Sequence, residues 1–190
     1  NQTTMLVTGN NMIDNIDLSK SKEYNLSIRI SSDGFSFSVV NPQNKSDFMF
    51  SRFDLSPSTS VSANLKKWLA STEELNLEYK KIFVIINSSR FMAVPLSLYR
   101  EDSEEEIFYY NHSKLNNEKI LSDKLVSDDI VMLYGVDKYC HQIIIEHFNC
   151  CDLICSSTSL LHYYITKSRI GGNKKIFVHL SEHDIKIFCF

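Results

Sequence analysis

One apolar pattern occurs twice in this chain, at an offset of 150 residues. In residues 26–37, LSIRISSDGFSF, apolar side chains alternate with polar ones on both sides of the polar turn 31–34. Residues 176–187, IFVHLSEHDIKI, repeat the pattern without a gap around the turn 181–184. Alternation with period two is typical of strands that bury one face, so each segment is predicted to be a β-hairpin. The repeat favours a duplicated fold whose second half has only begun at Phe190.

Two unrelated hairpins would also share such a pattern, so the duplication is tested by its structural consequences. It predicts that 176–180 and 185–190 pair antiparallel, and that an approximate two-fold rotation relates them to the first hairpin. A strand that ends at Phe190 indicates truncation, and burial of Phe188 and Phe190 would need a partner chain.

The rest of the chain is predicted to begin as a β-meander and to end as alternating strands and helices. Strands that alternate with helices imply parallel pairing through crossovers, so the fold class is mixed α/β. After the first hairpin we predict a strand at 48–53 and a helix that opens at 56–58. An apolar strand at 81–86 is predicted to form a second hairpin with 90–94, and a helix at 102–110 follows, whose acidic residues suit its N-terminus. The remaining predicted elements are strands at 119–126 and 130–134, a helix from 137, a strand at 153–155 and a helix from 157 that ends at 171–172.

Three stretches carry a resemblance to a known family. They are residues 26–37, residues 94–99 (VPLSLY), and residues 129–136 (DIVMLYGV), which lead into the helix from Asp137. They resemble a bacterial family classed as a domain of unknown function, which has the actin-like ATPase fold of ribonuclease H-like topology. The resemblance covers about residues 20–190, which would be the first half of the family's length. These motifs indicate a fold and carry no chemistry of their own.

The resemblance implies a division of the chain into three parts. Residues 1–20 are a lead-in segment. Residues 21–172 are expected to form a first actin-like domain, with 88–128 as an insertion or subdomain. Residues 175–190 are expected to be the first hairpin of a truncated second actin-like domain.

The two hairpin turns are the candidate nucleotide site, because the resemblance implies that 31–34 and 181–184 face each other across a common cleft, where the halves of this superfamily close on their ligand. Active members of the actin-like superfamily have an aspartate there that begins a glycine-rich loop, whose backbone N–H groups hold phosphates while the carboxylate positions metal or water. In this chain Ser31 follows the strand directly, Asp33 comes two residues later beside one glycine, and the second turn has no glycine. An ordinary hairpin turn with positive φ is favoured over phosphate binding as the explanation of the pair Asp33 and Gly34. The cofactor-binding candidates are Ser31, Ser32, Asp33, Gly34, Ser181 and Asp184.

The cysteines are interpreted as reduced core residues. Their number is odd and their neighbours are apolar, which argues against a disulfide framework. A zinc site on His147 and the nearby cysteines is the alternative, but adjacent cysteines point to opposite sides of an extended chain, and no Cys-x-x-Cys pair occurs. No metal site and no catalytic residue are therefore nominated. The cysteines are Cys140, Cys150, Cys151, Cys155 and Cys189.

Several cations flank the glycine pair at 171–172. They would suit an anion, but the dipole at the C-terminus of the preceding helix is the favoured explanation. They are Lys167, Arg169, Lys174 and Lys175.

Charge and hydropathy exclude two classes of partner. The 20 basic and 23 acidic side chains give a net charge of −3, which lacks the basic excess of a nucleic-acid binder. No apolar run approaches the ~18 residues of a membrane span, and the chain begins without a signal pattern. A cytoplasmic protein is expected.

Two function hypotheses follow. The first is an actin-like scaffold that has lost nucleotide chemistry and acts through contacts with protein partners or with copies of itself; it requires no cofactor. The alternative is an ATP-dependent kinase or ATPase that uses Asp33 as the loop acid, has its remaining loops beyond Phe190, and requires ATP and Mg²⁺. The glycine-poor turns favour the scaffold over an enzyme.

Overall fold

The chain folds into the mixture of strands and helices that its apolar pattern predicts. A computed structural model describes residues 6–8, 11–180 and 185–190. The strands are β1 (Leu6–Thr8), β2 (Asn11–Asp14), β3 (Asn25–Ser31), β4 (Gly34–Val40), β5 (Phe48–Phe53), β6 (Lys81–Ile86), β7 (Phe91–Pro95), β8 (Glu118–Leu125), β9 (Ile130–Asp137), β10 (Asp152–Cys155), β11 (Ile176–Leu180) and β12 (Ile185–Cys189). The α-helices are α1 (Val61–Ser71), α2 (Glu104–Asn111), α3 (Lys138–His147) and α4 (Ser156–Ser168).

These elements form two compact units. Unit 1 contains Asn1–Asn87 and Asp137–Leu153, and unit 2 contains Ser88–Val136 and Ile154–Phe190. The chain therefore passes from unit 1 to unit 2 and back before it ends in unit 2. Each unit has its own sheet and its own buried side chains.

The main sheet has the strand order β1-β2-β5-β4-β3-β6-β10, and its strands β1 to β6 lie in unit 1. Strands β3, β4 and β5 pair antiparallel, as the predicted meander requires. Strand β6 pairs with β3 in parallel. Parallel neighbours need a crossover connection, and α1 provides it.

The core of unit 1 lies between this sheet and α1. The Trp68 ring of α1 has its centre 5.3 Å from the Phe35 ring and 6.2 Å from the Phe37 ring. Aromatic rings at these distances add to the stability that burial of their area provides. The alternating residues predicted to face inward are buried: Leu26, Ile28, Ile30, Phe35, Phe37 and Val39.

The predicted start of α1 at 56–58 is wrong. Ser60 caps the helix, and its hydroxyl accepts a hydrogen bond from the Ala63 N–H at 3.2 Å. The Asn64 side chain accepts from the Ser56 N–H at 2.9 Å and so holds the preceding segment as a loop. Serine is a preferred N-cap, and three serines in five residues offer several alternative starts.

The predicted hairpin of 81–86 with 90–94 is also wrong. Strand β6 pairs with β3, whereas β7 pairs antiparallel with β9 in a separate sheet of unit 2. The chain changes sheet after Asn87. In unit 2 the Ser88 hydroxyl donates to the Gly135 carbonyl at 2.7 Å and accepts from the Arg90 N–H at 3.1 Å. These bonds fix the start of β7 against β9.

The sheet of unit 2 has the order β7-β9-β8 and buries side chains on both faces. One face packs on α2, and the other packs on α4 and β12. The first cluster contains Val94, Phe108, Ile120, Val131 and Leu133. The second contains Met132, Leu161, Ile165 and Phe188.

The predicted C-terminal hairpin is present as an antiparallel pair of β11 and β12, separate from the main sheet. The expectation that Phe188 needs a partner chain for its burial is wrong. Phe188 is 8% exposed, because it packs against α4 with its ring centre 5.1 Å from that of Tyr164. Phe190 is 38% exposed. The two-fold relation to the first hairpin stays a prediction.

A partly buried ion pair lies beside a glycine in unit 2. Arg90 Nε donates to Glu118 Oε1 at 2.6 Å, and Arg90 Nη2 donates to Oε2 at 3.0 Å. A Cβ at Gly135 would lie 2.6 Å from Cδ of Glu118. Gly135 therefore leaves the space that the Glu118 carboxylate occupies.

Candidate functional site

The first candidate turn is a two-residue connection. Ser31 and Gly34 are paired across β3 and β4, so only Ser32 and Asp33 lie between the strands. A tight turn of this kind is the shortest hairpin loop that proteins use. It leaves no room for an extended loop that surrounds a phosphate group.

Asp33 is neutralised by a residue of its own hairpin. Arg29 Nη2 donates to both Asp33 carboxylate oxygens at 3.3 Å. Burial raises the pKa of Asp33, but hydrogen bonds from Ser31 and Arg29 outweigh it and hold that pKa below its ordinary value. Asp33 is thus a carboxylate at neutral pH, and its charge is already matched by Arg29.

Ser31 is engaged by the neighbouring parallel strand. Asn87, which follows β6, donates from its N–H to the Ile30 carbonyl at 2.9 Å and from Nδ2 to Ser31 Oγ at 3.2 Å. Ser31 is buried. The carboxyl ends of β3 and β6, where open α/β sheets commonly bind ligands, are therefore joined by a protein hydrogen bond.

Gly34 is required by close packing. Its φ is +151°, and a Cβ on this residue would lie 2.9 Å from the Phe53 carbonyl oxygen. Because glycine readily adopts this φ and has no Cβ, the start of β4 can lie close to the end of β5. This explains the glycine without any ligand.

The structure brings together four of the six cofactor-binding candidates. Ser31, Ser32, Asp33 and Gly34 form the first turn, and only Ser32 among them is fully exposed. Ser181 and Asp184 lie outside the described residues. That the two turns face a common cleft stays a prediction.

The comparisons with known proteins agree with this fold. Residues 13–190 match the family described as "Protein of unknown function (DUF3822)". The chain belongs to this family. A crystal structure of a Bacteroides thetaiotaomicron protein, titled as having an actin-like ATPase fold and unknown function, is 38% identical to the chain, with a TM-score of 0.84. The match covers 92% of this chain and 68% of that one. No curated protein matches.

The predicted mixed α/β fold is confirmed as an actin-like ATPase fold, and the predicted family type is confirmed by the DUF3822 match. The chain is an actin-like protein. No helix among the described residues is long and apolar enough to cross a membrane.

This DUF3822 chain has cysteines of two kinds. Cys140 and Cys155 are buried as predicted, whereas Cys150 and Cys189 are exposed, so the core interpretation is wrong for those two. Cys150 lies between α3 and β10, and Cys189 lies on the outer face of β12. Burial raises the pKa of the Cys140 thiol to about 12, which makes it a poor nucleophile. Within 6–8, 11–180 and 185–190, no group of three metal-ligating side chains comes together.

One cation near the glycine pair bonds to the end of α4, and another has a partner outside that helix. Lys175 Nζ donates to the carbonyls of Lys167 and Ser168, both at 3.2 Å. Arg169 pairs with Asp128 at 2.7 Å. These contacts confirm the helix C-terminus interpretation for Lys175 and give Arg169 a protein partner.

Sequence reasoning missed a second carboxylate network, which lies in unit 2. Asp123 Oδ2 accepts from the Cys155 N–H at 2.8 Å and from the Thr158 hydroxyl at 2.6 Å. Asp123 Oδ1 accepts from the Tyr134 hydroxyl at 3.2 Å. Burial raises the pKa of Asp123 despite these bonds. Asp123 thus ties β8 to Cys155, the residue that precedes α4, and to Thr158 in the first turn of that helix.

Arg29 and Asn87 were missed as well, although each left a signal. Arg29 lies on the same face of β3 as Ser31 and shortly before the only acid of the turn. Asn87 follows an apolar run of the kind that parallel sheets bury. Their partners depend on the turn geometry and on the register of β3 with β6.

Proposed function

We propose that this DUF3822 protein is an actin-like scaffold that lacks nucleotide chemistry and acts through contacts with protein partners. The observation that carries the proposal is the pairing of Arg29 with Asp33 in a two-residue turn. In this superfamily the corresponding loop presents free N–H groups and an acid to the nucleotide. Here the acid already has an internal cation.

Phosphate binding at this turn would cost existing contacts. A Mg²⁺-bound phosphate that used Asp33 would compete with Arg29 for the carboxylate. Ser31 is buried and accepts from Asn87, so its hydroxyl is also occupied. The net charge of −3 supports protein partners over nucleic acids.

The proposal retains the division of the chain suggested by its sequence. Residues 21–172 would be a first actin-like domain with 88–128 inserted, and residues 175–190 would open a second one. Ser181 and Asp184 would then lie at the turn equivalent to 31–34. A cytoplasmic location is part of the proposal, because free cysteines suit a reducing compartment.

The test is nucleotide binding by the full-length protein. Thermal unfolding is measured with and without ATP and Mg²⁺ at millimolar concentration, and phosphate release is measured in parallel. We expect no shift in Tm and no turnover. A ligand at a hundred times its Kd would add about 2.7 kcal/mol of stability, which raises the Tm by several degrees.

The alternative, an ATP-dependent kinase or ATPase, makes the opposite forecast. A rise in Tm together with turnover would overturn the scaffold proposal. The Asp33→Asn variant then decides the role of the turn. Loss of turnover in that variant would show that Asp33 takes part in the reaction. Full turnover would show that the reaction takes place at another site.

A further inference from the structure

The C-terminal hairpin of unit 2 turns an apolar face to solvent. Strands β11 and β12 pair in antiparallel register, so directly opposite side chains lie on the same face of the hairpin. The outer face is formed by three opposite pairs, Ile176 with Cys189, Val178 with Ile187, and Leu180 with Ile185. Its five aliphatic side chains are between 52% and 71% exposed, and the cysteine is exposed as well.

The polar side chains of the same two strands lie on the opposite face, toward α4. His179 and Lys186 are directly opposite each other, and Lys186 Nζ donates to Ser156 Oγ of α4 at 3.2 Å. Phe177 shares this inner face, with its ring centre 4.7 Å from that of Tyr164 in α4. A hairpin with one face in water ordinarily places its polar side chains on that face. The outer face therefore has the composition of a surface that is covered.

The outer face is large enough to support association. Each of its five aliphatic side chains has roughly 100 Å² of apolar surface to bury, so one copy offers about 500 Å². The largest apolar patch on a typical monomer covers about 300–600 Å² and is often functional. Two such faces packed together bury about 1,000 Å², which is the area that a specific protein interface needs to reach.

We propose that the outer face of this hairpin is the contact surface of a symmetric dimer, in which it packs against the same face of a second copy of the chain. Within β11 and β12 no side chain on this face carries a charge, so nothing on it selects a foreign partner electrostatically. Interfaces between identical subunits are also more apolar than those between different proteins. The inference rests on the proposed scaffold role in one respect, since it names a second copy as the protein that the scaffold contacts.

Two-fold symmetry suits the arrangement of the outer face. In a contact of this kind the same patch of both copies meets across the axis. An axis through the middle of the face, parallel or perpendicular to the strands, sets apolar pairs on apolar pairs, because all three pairs are apolar. Val178 and Ile187 form the middle pair. They therefore lie at the centre of the contact in both arrangements.

The dependence of mass on concentration tests the dimer. The mass of the full-length protein is measured by analytical ultracentrifugation over a range of protein concentrations. We expect a monomer at about 1 μM and a dimer at about 100 μM, because an interface of modest area binds with a Kd in the micromolar range. A protein that stays monomeric at about 100 μM overturns the proposal.

Ile187→Glu locates the interface. A carboxylate at the centre of an apolar contact should raise the dimer Kd at least about a hundredfold. Ile187 is exposed in the single chain, so the Tm of the dilute monomer should change little. Val126→Glu is the matched control, because Val126 is equally exposed in unit 2 but lies outside the hairpin, and this variant should dimerise as the parent does. A folded Ile187→Glu protein that dimerises like the parent overturns the proposal.

Two exposed thiols distinguish what covers the face. Cys189 belongs to the outer face, and Cys150 lies in unit 1. Alkylation by iodoacetamide, followed by mass spectrometry, should slow several-fold at Cys189 as the protein concentration rises and should stay constant at Cys150. Protection of Cys189 in a monomer would show that the face is covered within one chain and would overturn the dimer. Equal reaction at every concentration would leave the face to a foreign partner and would also overturn it.

The dimer and the nucleotide-free scaffold fail separately. Binding of ATP by a protein that dimerises would refute the loss of nucleotide chemistry and leave the dimer intact. A monomer that binds no ATP would refute the dimer and leave the scaffold to other protein partners.

Discussion

Asp33 in unit 1 and Asp123 in unit 2 are aspartates of the same chemistry in opposite settings. Asp33 lies in a turn and receives both of its 3.3 Å bonds from the Arg29 cation. Asp123 lies in a strand and receives its bonds from neutral donors: the Cys155 N–H and the hydroxyls of Thr158 and Tyr134. The pKa of Asp33 is lowered and that of Asp123 is raised.

The difference teaches what each carboxylate is for. Hydrogen bonds from Ser31 and Arg29 keep Asp33 charged, and Arg29 already supplies the cation that balances this charge. Asp123 joins β8 to β9 and α4, so its hydrogen bonds support the packing of unit 2. An aspartate near a strand end in this fold can therefore be structural in two distinct ways, and neither requires a nucleotide.

The largest expected effect is from Asp123→Ala. The change leaves the Cys155 N–H and two buried hydroxyls without an acceptor, which costs about 3 kcal/mol in the free energy of unfolding. Urea unfolding monitored by circular dichroism measures it. Asp123→Asn keeps one acceptor oxygen and should lose about 1 kcal/mol. If Asp123→Ala lowered the free energy of unfolding by less than about 1 kcal/mol, the network would not be structural.

Gly34→Ala is expected to come next, at about 2 kcal/mol, because the residue would be strained at its φ and its Cβ would meet the Phe53 carbonyl. Gly171 in unit 2 is the matched control. Its φ is +83°, and nothing lies within 4 Å of the added Cβ, so Gly171→Ala should cost about 1 kcal/mol from backbone strain alone. Equal losses in urea unfolding would refute the packing role of Gly34.

Asp33→Asn should have a smaller effect, about 0.5 kcal/mol, since the Arg29 side chain is 37% exposed and water screens the pair. Asp102→Asn breaks the far more exposed pair with Arg100 in unit 2 and should produce no measurable change. The two variants are compared by urea unfolding at low and high salt. If Asp33→Asn raised the free energy of unfolding, the Asp33 carboxylate would destabilise the folded turn, which is the behaviour of a residue held in place to bind a ligand.

The smallest expected effect is a difference in pH dependence. Because the pKa of Asp33 is lowered on folding, its contribution to stability is present above about pH 4, its unfolded pKa, and is lost as the pH falls further. The pKa of Asp123 is raised, so its contribution is greatest below about pH 4 and declines as the pH rises through the folded pKa. The stability lost in Asp33→Asn should therefore shrink on acidification, and that lost in Asp123→Asn should grow. Parallel trends in urea titrations at several pH values would contradict these assignments.

The local elements were predictable because their signals are local. The alternation in β3 and β4 identified the first hairpin, and the same period identified β11 and β12. Asp137 was a correct helix start, since its side chain accepts from the Cys140 N–H at 2.8 Å. An acid before an apolar helical repeat carries this information in the sequence.

The pairing of β6 and β7 was not predictable from the same signals. Residues that follow β6, beginning with Asn87, suit a hairpin turn and a change of sheet equally. The outcome depends on β3, whose free side accepts β6 in parallel, and on Ser88, which bonds to Gly135. Both are contacts between residues far apart in the chain.

The candidate site was predictable in position and not in chemistry. The sequence located Asp33 in a glycine-poor turn, but the geometry that aims Arg29 at it exists only in the folded hairpin. Asp123 gave no signal, because its donors come from β9, β10 and α4. Long-range networks of this kind are decided by tertiary packing.

Gly135 has an evolutionary consequence. The carboxylate of Glu118 fills the space that a side chain at position 135 would need, and that carboxylate holds Arg90. A mutation that adds a side chain at 135 displaces the Glu118 carboxylate, and the partly buried Arg90 guanidinium then loses its anionic partner. Positions 90, 118 and 135 should therefore covary among DUF3822 sequences, so that relatives without the glycine have also lost the ion pair.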